Sequence, residues 1–339
     1  MSQVQIPKKV KGVVIQQKGQ KATYGEVDMP ELVEGDILVQ VAAGPINPSD
    51  LSFLQGVYPS ERSYPCIAGN EGSGTVIFGK GSSEEKLVGK RIAFHPKQGG
   101  NLGSYGEYCV TTIKQIVILP EDVSTENGAC TFVNPFTVAY MLETVKKHQL
   151  KSVVHNVGSS QLGKQMQRYF TDNGVNVINI VRRDQQVQDL QKDGAKYVLN
   201  QSEEGFWEKL KKLTLELDAR IAFDAIGGEF TSNLVTHLPN DSYIYVYGIL
   251  SDDLFPKISL TNLLFNGISL NGYWLVREMK NTPQEKVIQL AQKVSSLLST
   301  TFSSTISQKV KYEDFEKGIE LYKKNMSNGK ILLTSPQNI

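Results

Sequence analysis

The spacing of apolar and polar positions changes once along this chain. Up to about residue 125, short β-rich runs at Val10–Gln17, Asp36–Ala43, Gly74–Phe78, Arg91–Phe94 and Gly106–Val110 are separated by turn-forming segments. Gly44-Pro45 and Gly99-Gly100 are among these turns. Regularly spaced short strands without long helices predict a β-barrel-like domain. From about residue 127 the period lengthens. Asn127–His148 carries Phe132, Phe136, Ala139, Tyr140 and Leu142 near a helical repeat and predicts one helix. Strands and helices then alternate. Strands are predicted at Ser152–Asn156, Asn176–Val181, Tyr197–Leu199, Ala219–Asp224 and Ser242–Tyr247. Helices are predicted at Gly163–Asn173, Gln185–Asp193, Gly205–Leu217 and Phe230–Leu238. This order predicts βαβ units and a parallel sheet covered on both faces. Gln284–Ser299 reads as one more amphipathic helix. The short, partly β tail from about Thr300 is able to return to the first domain.

Composition narrows the classes. The chain has 339 residues, 40% hydrophobic and 21% charged, which is ordinary globular usage and long enough for two domains. Lys and Arg number 36 against 35 Asp and Glu, so no basic excess favours a nucleic acid partner. No apolar stretch reaches the ~20 residues that span a bilayer; Ala222–Ile226 and Tyr243–Leu250 are strand-length. Cys66, Cys109 and Cys130 are odd in number and widely spaced, which reads as three buried thiols or a reducing compartment. Three cysteines cannot build a four-cysteine zinc site, and no His or Cys cluster has metal-ligand spacing, so no metal is expected. Met1–Lys11 holds three lysines, no arginine and no apolar core. It resembles neither a signal peptide nor a good transit peptide, and the initiating Met1 argues against a presequence already removed.

The most informative segment is Ser152–Gly163, SVVHNVGSSQLG, between a buried strand and a helix. A dinucleotide-binding turn needs small residues there so that backbone N–H groups at the helix start can meet a pyrophosphate. Gly158, Ser159, Ser160 and Gly163 satisfy that need. Gln161 stands where a further glycine would ease the approach, and its side chain would have to point away. The same segment also reads as a strand-to-helix turn with no ligand. The end of the next strand, Ile180–Asp184, reads IVRRD. A carboxylate at such a strand end suits a ribose 2′-hydroxyl, whereas arginine suits a 2′-phosphate. Arg182 and Arg183 are either a solvated pair or, taken with the turn, a site for NADPH. Gly248, in Tyr247-Gly248-Ile249, would let backbone lie against a nicotinamide, and Tyr273-Trp274-Leu275 could wall the pocket. Each also reads as ordinary core.

These residues carry a resemblance covering nearly the whole chain. Ile46–Tyr58 (INPSDLSFLQGVY), Gly69–Gly74 (GNEGSG) and Asn134–Thr137 (NPFT) resemble the zinc-free branch of the medium-chain dehydrogenase/reductase superfamily. Asn156–Gly163, Asn179–Asp184, Gly227-Gly228, Gly272–Leu275 and Gly329–Leu332 extend the match. Within that branch the sequence is most similar to the mitochondrial trans-2-enoyl thioester reductase family. The resemblance implies an α/β fold: a GroES-like β-barrel catalytic domain, residues 1–126 and 302–339, around a Rossmann doubly wound NADPH-binding domain, residues 127–301. It implies a homodimer and a reduction of the fatty acid synthesis type. It also implies a mitochondrial location, with the cytoplasm as the alternative. Carried over by position, the proton donor falls on Tyr58. Cofactor contacts fall on Asn134, Ser159, Ser160, Gln161, Leu162, Gly163, Arg182, Arg183, Asp184, Tyr247, Gly248, Ile249, Leu250, Tyr273, Trp274, Leu275, Val276 and Lys330. Where the superfamily's zinc enzymes have His and Cys, this chain has Asn70, and Asn47 with Ser49.

The implied chemistry is hydride transfer to the β-carbon of an acyl thioester carried on CoA or acyl carrier protein. The negative charge that builds on the α-carbon and thioester oxygen needs a protonated donor, and a tyrosine of ordinary pKa about 10 is one at pH 7. Two other readings stand beside it. One is an NADPH:quinone oxidoreductase of the same branch. The other is a reductase-derived accessory subunit of a larger assembly, suggested by Gln161 and by His95–Gly103, HPKQGGNLG, which departs from the family pattern.

Overall fold

A computed structural model describes residues 6–335, so the first part of the Met1–Lys11 segment lies outside the described residues. The described residues form two compact units, residues 6–135 with 291–335, and residues 136–290. No helix among the described residues is long and apolar enough to cross a membrane.

The first unit holds two sheets. A three-stranded sheet runs Thr23–Asp28, Lys9–Ile15, Cys66–Ile67. A seven-stranded sheet runs Ile306–Lys311, Lys330–Thr334, Asp36–Pro45, Gly72–Gly79, Arg91–Phe94, Ile116–Ile118, with Tyr108–Thr112 also paired to Asp36–Pro45. Asp36–Pro45 is buried almost throughout because it has neighbours on both edges. The C-terminal return is a register of Leu332 against Pro45, Leu333 against Gly44 and Thr334 against Ala43. Ile306–Lys311 pairs in parallel with Lys330–Thr334. A parallel pair needs a crossover, which here includes the helix Phe315–Lys324, absent from the sequence reading of the tail. Val13, Leu38, Phe53, Tyr105, Tyr312 and Leu333 fill the main core.

Two boundaries differ from the sequence expectation. The Asn127–His148 helix is two helices, Thr125–Gly128 and Asn134–Lys147. The break arises because the Glu71 carboxylate accepts the N–H groups of Phe132 and Val133, both at 2.8 Å. Those bonds also keep the residues before 136 with the first unit. Further along, Asn127 accepts the Ser304 N–H at 3.2 Å, and Leu298 and Phe302 are buried. Residues 127–135 and 291–301 therefore pack with the barrel-like unit rather than with the dinucleotide-type unit.

The second unit is a six-stranded parallel sheet. In space it runs Tyr197–Asn200, Asn176–Val181, Ser152–His155, Ile221–Asp224, Tyr243–Val246, Ser269–Gly272. Numbered along the chain, that order is third, second, first, fourth, fifth, sixth, the doubly wound Rossmann arrangement. Val154, Ile178, Ile180, Ala222 and Ile244 are buried at its centre, as expected of strands covered by helices on both faces. The order reverses between Ser152–His155 and Ile221–Asp224, and ligands of such sheets bind beyond the carboxyl ends at that point.

Candidate functional site

At the reversal point, the strand Ser152–His155 runs into the glycine turn. Ser160 caps the following helix, Gln161–Asp172, by accepting the Gly163 N–H at 3.0 Å. Gly163 is needed for packing, since a Cβ there would lie 2.4 Å from the Gly158 carbonyl oxygen. Gln161 and Leu162 are buried in the first turn of that helix. Val157, just before Gly158, has a left-handed φ of 52°.

One residue absent from the sequence reading joins the turn to the arginine strand end. Gln186 donates through Nε2 to Ser159 Oγ at 2.7 Å and accepts the Arg182 N–H at 3.1 Å. The signal was present, because a Gln three residues after the helix-capping Arg183 is a capping-box position. Arg182 and Arg183 are exposed. Ser202 Oγ donates to the Arg182 carbonyl, and Asn200 donates to the Asp184 carboxylate at 2.7 Å. The turn and the backbone of the arginine strand end are thus tied together through one amide. This arrangement fits a dinucleotide carrying a 2′-phosphate.

Asn156 and Asp224 stitch the two strands that flank the reversal. Asn156 donates to Asp224 and accepts the Ala225 N–H at 2.8 Å. Asp224 also accepts from the Ile226 and Gly227 N–H groups and from Thr231. His155, fully buried, meets the Tyr247 hydroxyl at 2.7 Å. Burial pushes its imidazole down to about 3, so it is neutral, and burial raises the Tyr247 phenol. A Cβ on Gly248 would come within 3.0 Å of the Ala225 carbonyl. Ile249 and Leu250 are exposed beyond it. Tyr273 is core, edge-on to Phe223 and Tyr245. Trp274 is partly exposed and caps the helix Leu275–Lys280, whose first residues, Leu275 and Val276, are half-buried.

The first unit brings together Asn47, Asp50, Asn70, Glu71 and Lys330, of which only Lys330 figured as a site residue. Asn47 opens the helix Pro48–Leu54. Asp50 accepts the Asn47 N–H at 2.9 Å, the Asn70 N–H at 3.1 Å and the Asn70 side-chain amide at 2.9 Å. Asn47 Nδ2 donates to Glu71 at 2.8 Å, and Lys330 Nζ donates to Asn47 Oδ1. Burial pushes Asp50 up to about 7 against the Asn47 N–H, the Tyr105 hydroxyl and Lys330, with Glu71 adding to the rise. Burial also raises Glu71, opposed by Lys330 and by its three N–H donors. Asn134, also buried, opens its helix directly after Val133. Among the described residues, no group of three His, Cys, Asp or Glu converges as a metal cage. All three cysteines are buried, and burial lifts Cys66 to about 11 and Cys109 and Cys130 to about 12, which keeps them as thiols. Tyr58 is half-buried after the helix Pro48–Leu54, with its N–H on the Ser52 carbonyl at 3.2 Å, and it packs on the core of this unit.

Comparison with known proteins agrees with both units. The alcohol dehydrogenase GroES-like domain model matches residues 33–121, and the zinc-binding dehydrogenase model matches residues 163–293. The mouse mitochondrial enoyl-acyl-carrier-protein reductase is 28% identical over 339 residues, 97% of this chain and 89% of the relative. The Caenorhabditis elegans protein of the same name is 30% identical over 258 residues, 74% of this chain and 72% of its own length. A Mesorhizobium loti structure described as an NADPH:quinone reductase superposes with TM-score 0.88 at 28% identity, covering 98% of this chain and all of the other. The complex of Etr1p with NADP and crotonyl-CoA superposes at 0.79 with 21% identity, covering 96% and 99%.

Proposed function

The chain belongs to the medium-chain dehydrogenase/reductase superfamily, as one of its oxidoreductases, and on that premise we propose that it reduces a trans-2-enoyl thioester with NADPH. The observation that carries this reading is the half-buried Tyr58 on the loop behind Pro48–Leu54, in a chain similar to enoyl reductases over almost all its length. When bound, NADPH supplies a hydride to the β-carbon. The chain's part is to hold the cofactor and manage the proton. Arg182 and Arg183 would neutralise the 2′-phosphate, and the backbone N–H groups at the start of Gln161–Asp172 would hold the pyrophosphate. The Tyr58 hydroxyl gives its proton to the α-carbon as negative charge gathers there and on the thioester oxygen. Mutating Tyr58→Phe should lower turnover of crotonyl-CoA about tenfold or more while NADPH affinity stays within about twofold. Unchanged turnover removes Tyr58 from the mechanism. No NADPH binding at about 100 μM, well up the usual range of K_M values, sinks the enzyme reading in favour of an accessory subunit.

The likeness to the Mesorhizobium loti protein favours a second reading, quinone reduction. Parallel assays of crotonyl-CoA and a benzoquinone with NADPH separate the two, and faster quinone turnover reverses their order. We place the protein in mitochondria, as its curated relatives are named, which cell fractionation tests. We also propose a homodimer. Ser269–Gly272 is a sheet edge, and the segment before it exposes Leu254, Phe255, Leu260, Leu264 and Phe265, with Phe255 at 86%. Native mass of the purified chain checks that state.

A further inference from the structure

We infer that Glu71 is a positioning residue that sets the amide of Asn47 holding Lys330 and, at the same time, the backbone that delivers Asn134. The inference rests on the reading above, in which Lys330 and Asn134 meet NADPH. Glu71 is fully buried at the entry to the strand Gly72–Gly79. One carboxylate oxygen accepts Asn47 Nδ2 at 2.8 Å, and the other accepts the Phe132 and Val133 N–H groups. Asn134 follows at once and opens the helix Asn134–Lys147. Asn47 turns its carbonyl end to Lys330 Nζ. A side-chain amide has one donor end and one acceptor end. With a carboxylate on one side and an ammonium on the other, only one orientation of Asn47 satisfies both. Lys330 is 4% exposed, so this amide is the contact that orients its charge.

The acceptor character of both Glu71 oxygens is what the arrangement uses. All three bonds to it are accepted, as suits a carboxylate. In Glu71→Gln, the amide oxygen can keep the two backbone N–H groups only if its NH₂ faces the NH₂ of Asn47. Asn47 must then flip and present a donor to the Lys330 ammonium. The opposite Gln rotamer abandons the backbone pair. Neither rotamer restores all the contacts; the one that keeps the two backbone N–H bonds gives up fewer, so Glu71→Gln keeps the approach to Asn134 and releases Lys330.

The test is a double-mutant cycle on the full chain, read by NADPH fluorescence titration. Glu71→Gln and Lys330→Met should each weaken NADPH about tenfold. The double variant should be within about twofold of Lys330→Met alone, because both changes remove the same contact. Losses that multiply overturn the coupling and leave Glu71 a merely structural role. Reductive methylation followed by mass spectrometry gives a cofactor-free readout. Lys330 should be modified several-fold faster in Glu71→Gln, and an unchanged rate overturns the holding of Lys330. If Glu71→Gln does not fold, Asn47→Ala cuts the Lys330 side alone and must show the same non-additivity with Lys330→Met. Absence of NADPH binding by the unaltered chain sinks the functional reading and the cofactor role of Glu71 with it. Binding with multiplied losses sinks only the role of Glu71.

Discussion

The two charged constellations of this protein are held in opposite ways. In the first unit Asp50, Glu71 and Lys330 are enclosed, and each is bound by an asparagine amide or a backbone N–H. In the second unit Arg182 and Arg183 stand exposed at a strand end, and the bonds described for Arg182 are to its backbone. Enclosure costs desolvation and returns fixed geometry, since a buried charge that loses a partner has no water to replace it. Exposure keeps the guanidinium groups available to a diffusing anion and leaves them open to screening by salt. One region is therefore suited to orientation and the other to capture.

The comparison breaks most visibly with pH. Asp50 titrates near 7 in the folded chain against an ordinary 3.8. The folded state holds its proton while the unfolded state releases it, so the stability present below about pH 4 is lost as pH rises toward 7 and is level above that. The full shift corresponds to roughly 4 kcal/mol as an upper bound. Asp50→Asn removes this contribution. Its denaturation free energy should fall less than that of the unaltered chain between about pH 4 and pH 8. Glu71 helps to raise Asp50, so the difference between the two curves reports Asp50 together with its interaction with Glu71. Parallel pH curves for the two proteins would mean that Asp50 is not an enclosed, destabilised carboxylate.

The exposed region should behave in the contrary manner. Arg182→Ala with Arg183→Ala should raise the K_M for NADPH about thirtyfold, leave that for NADH within about twofold, and change stability by less than about 0.5 kcal/mol. At about 1 M salt the difference between NADPH and NADH should shrink in the unaltered chain, because screening then acts within about 3 Å. A double variant that loses stability without losing its preference for NADPH would place the arginines in the fold rather than in capture.

The two regions also differ in how legible they were. The glycine turn, the strand Asn176–Val181 and the arginine pair are contiguous, and period and turn chemistry are local properties, so they could be read directly. Gln186 was readable in principle as a capping residue, but its second bond, to Ser159, spans 27 positions. The enclosed network could not be read in this way. Asn47 and Lys330 are 283 positions apart, and Glu71 reaches 61 positions to Phe132. Asn47, Asn70 and Glu71 were visible in INPSD and GNEG as absent zinc ligands or unassigned letters. Only the antiparallel return of Lys330–Thr334 onto Asp36–Pro45 brings Lys330 to the Asn47 amide. The helix Phe315–Lys324, in contrast, carries a local signal, because Phe315, Gly318 and Tyr322 fall on one buried face at helical spacing.

The smallest effect concerns how the turn itself is kept in shape. Val157 lies in the left-handed region at φ 52°, where its branched Cβ crowds the backbone and costs about 1–3 kcal/mol. It is held there by bonds on both sides. Ser160 donates its N–H to the Val157 carbonyl at 2.9 Å, Gly158 donates to Ile180 at 3.0 Å, and Asn156 is anchored on Asp224 and Ala225. Val157→Gly relieves the crowding but adds about 0.5–1 kcal/mol of unfolded-chain entropy and removes a half-buried isopropyl group. The balance should be a gain of about 0.5–1 kcal/mol in urea denaturation. Val157→Ala keeps a Cβ in the same region, loses the methyl contacts and should destabilise. A stabilising glycine beside a destabilising alanine would show that the turn is held under tension by its hydrogen bonds. A glycine variant less stable than the alanine one would show instead that the packing of Val157 outweighs its backbone strain.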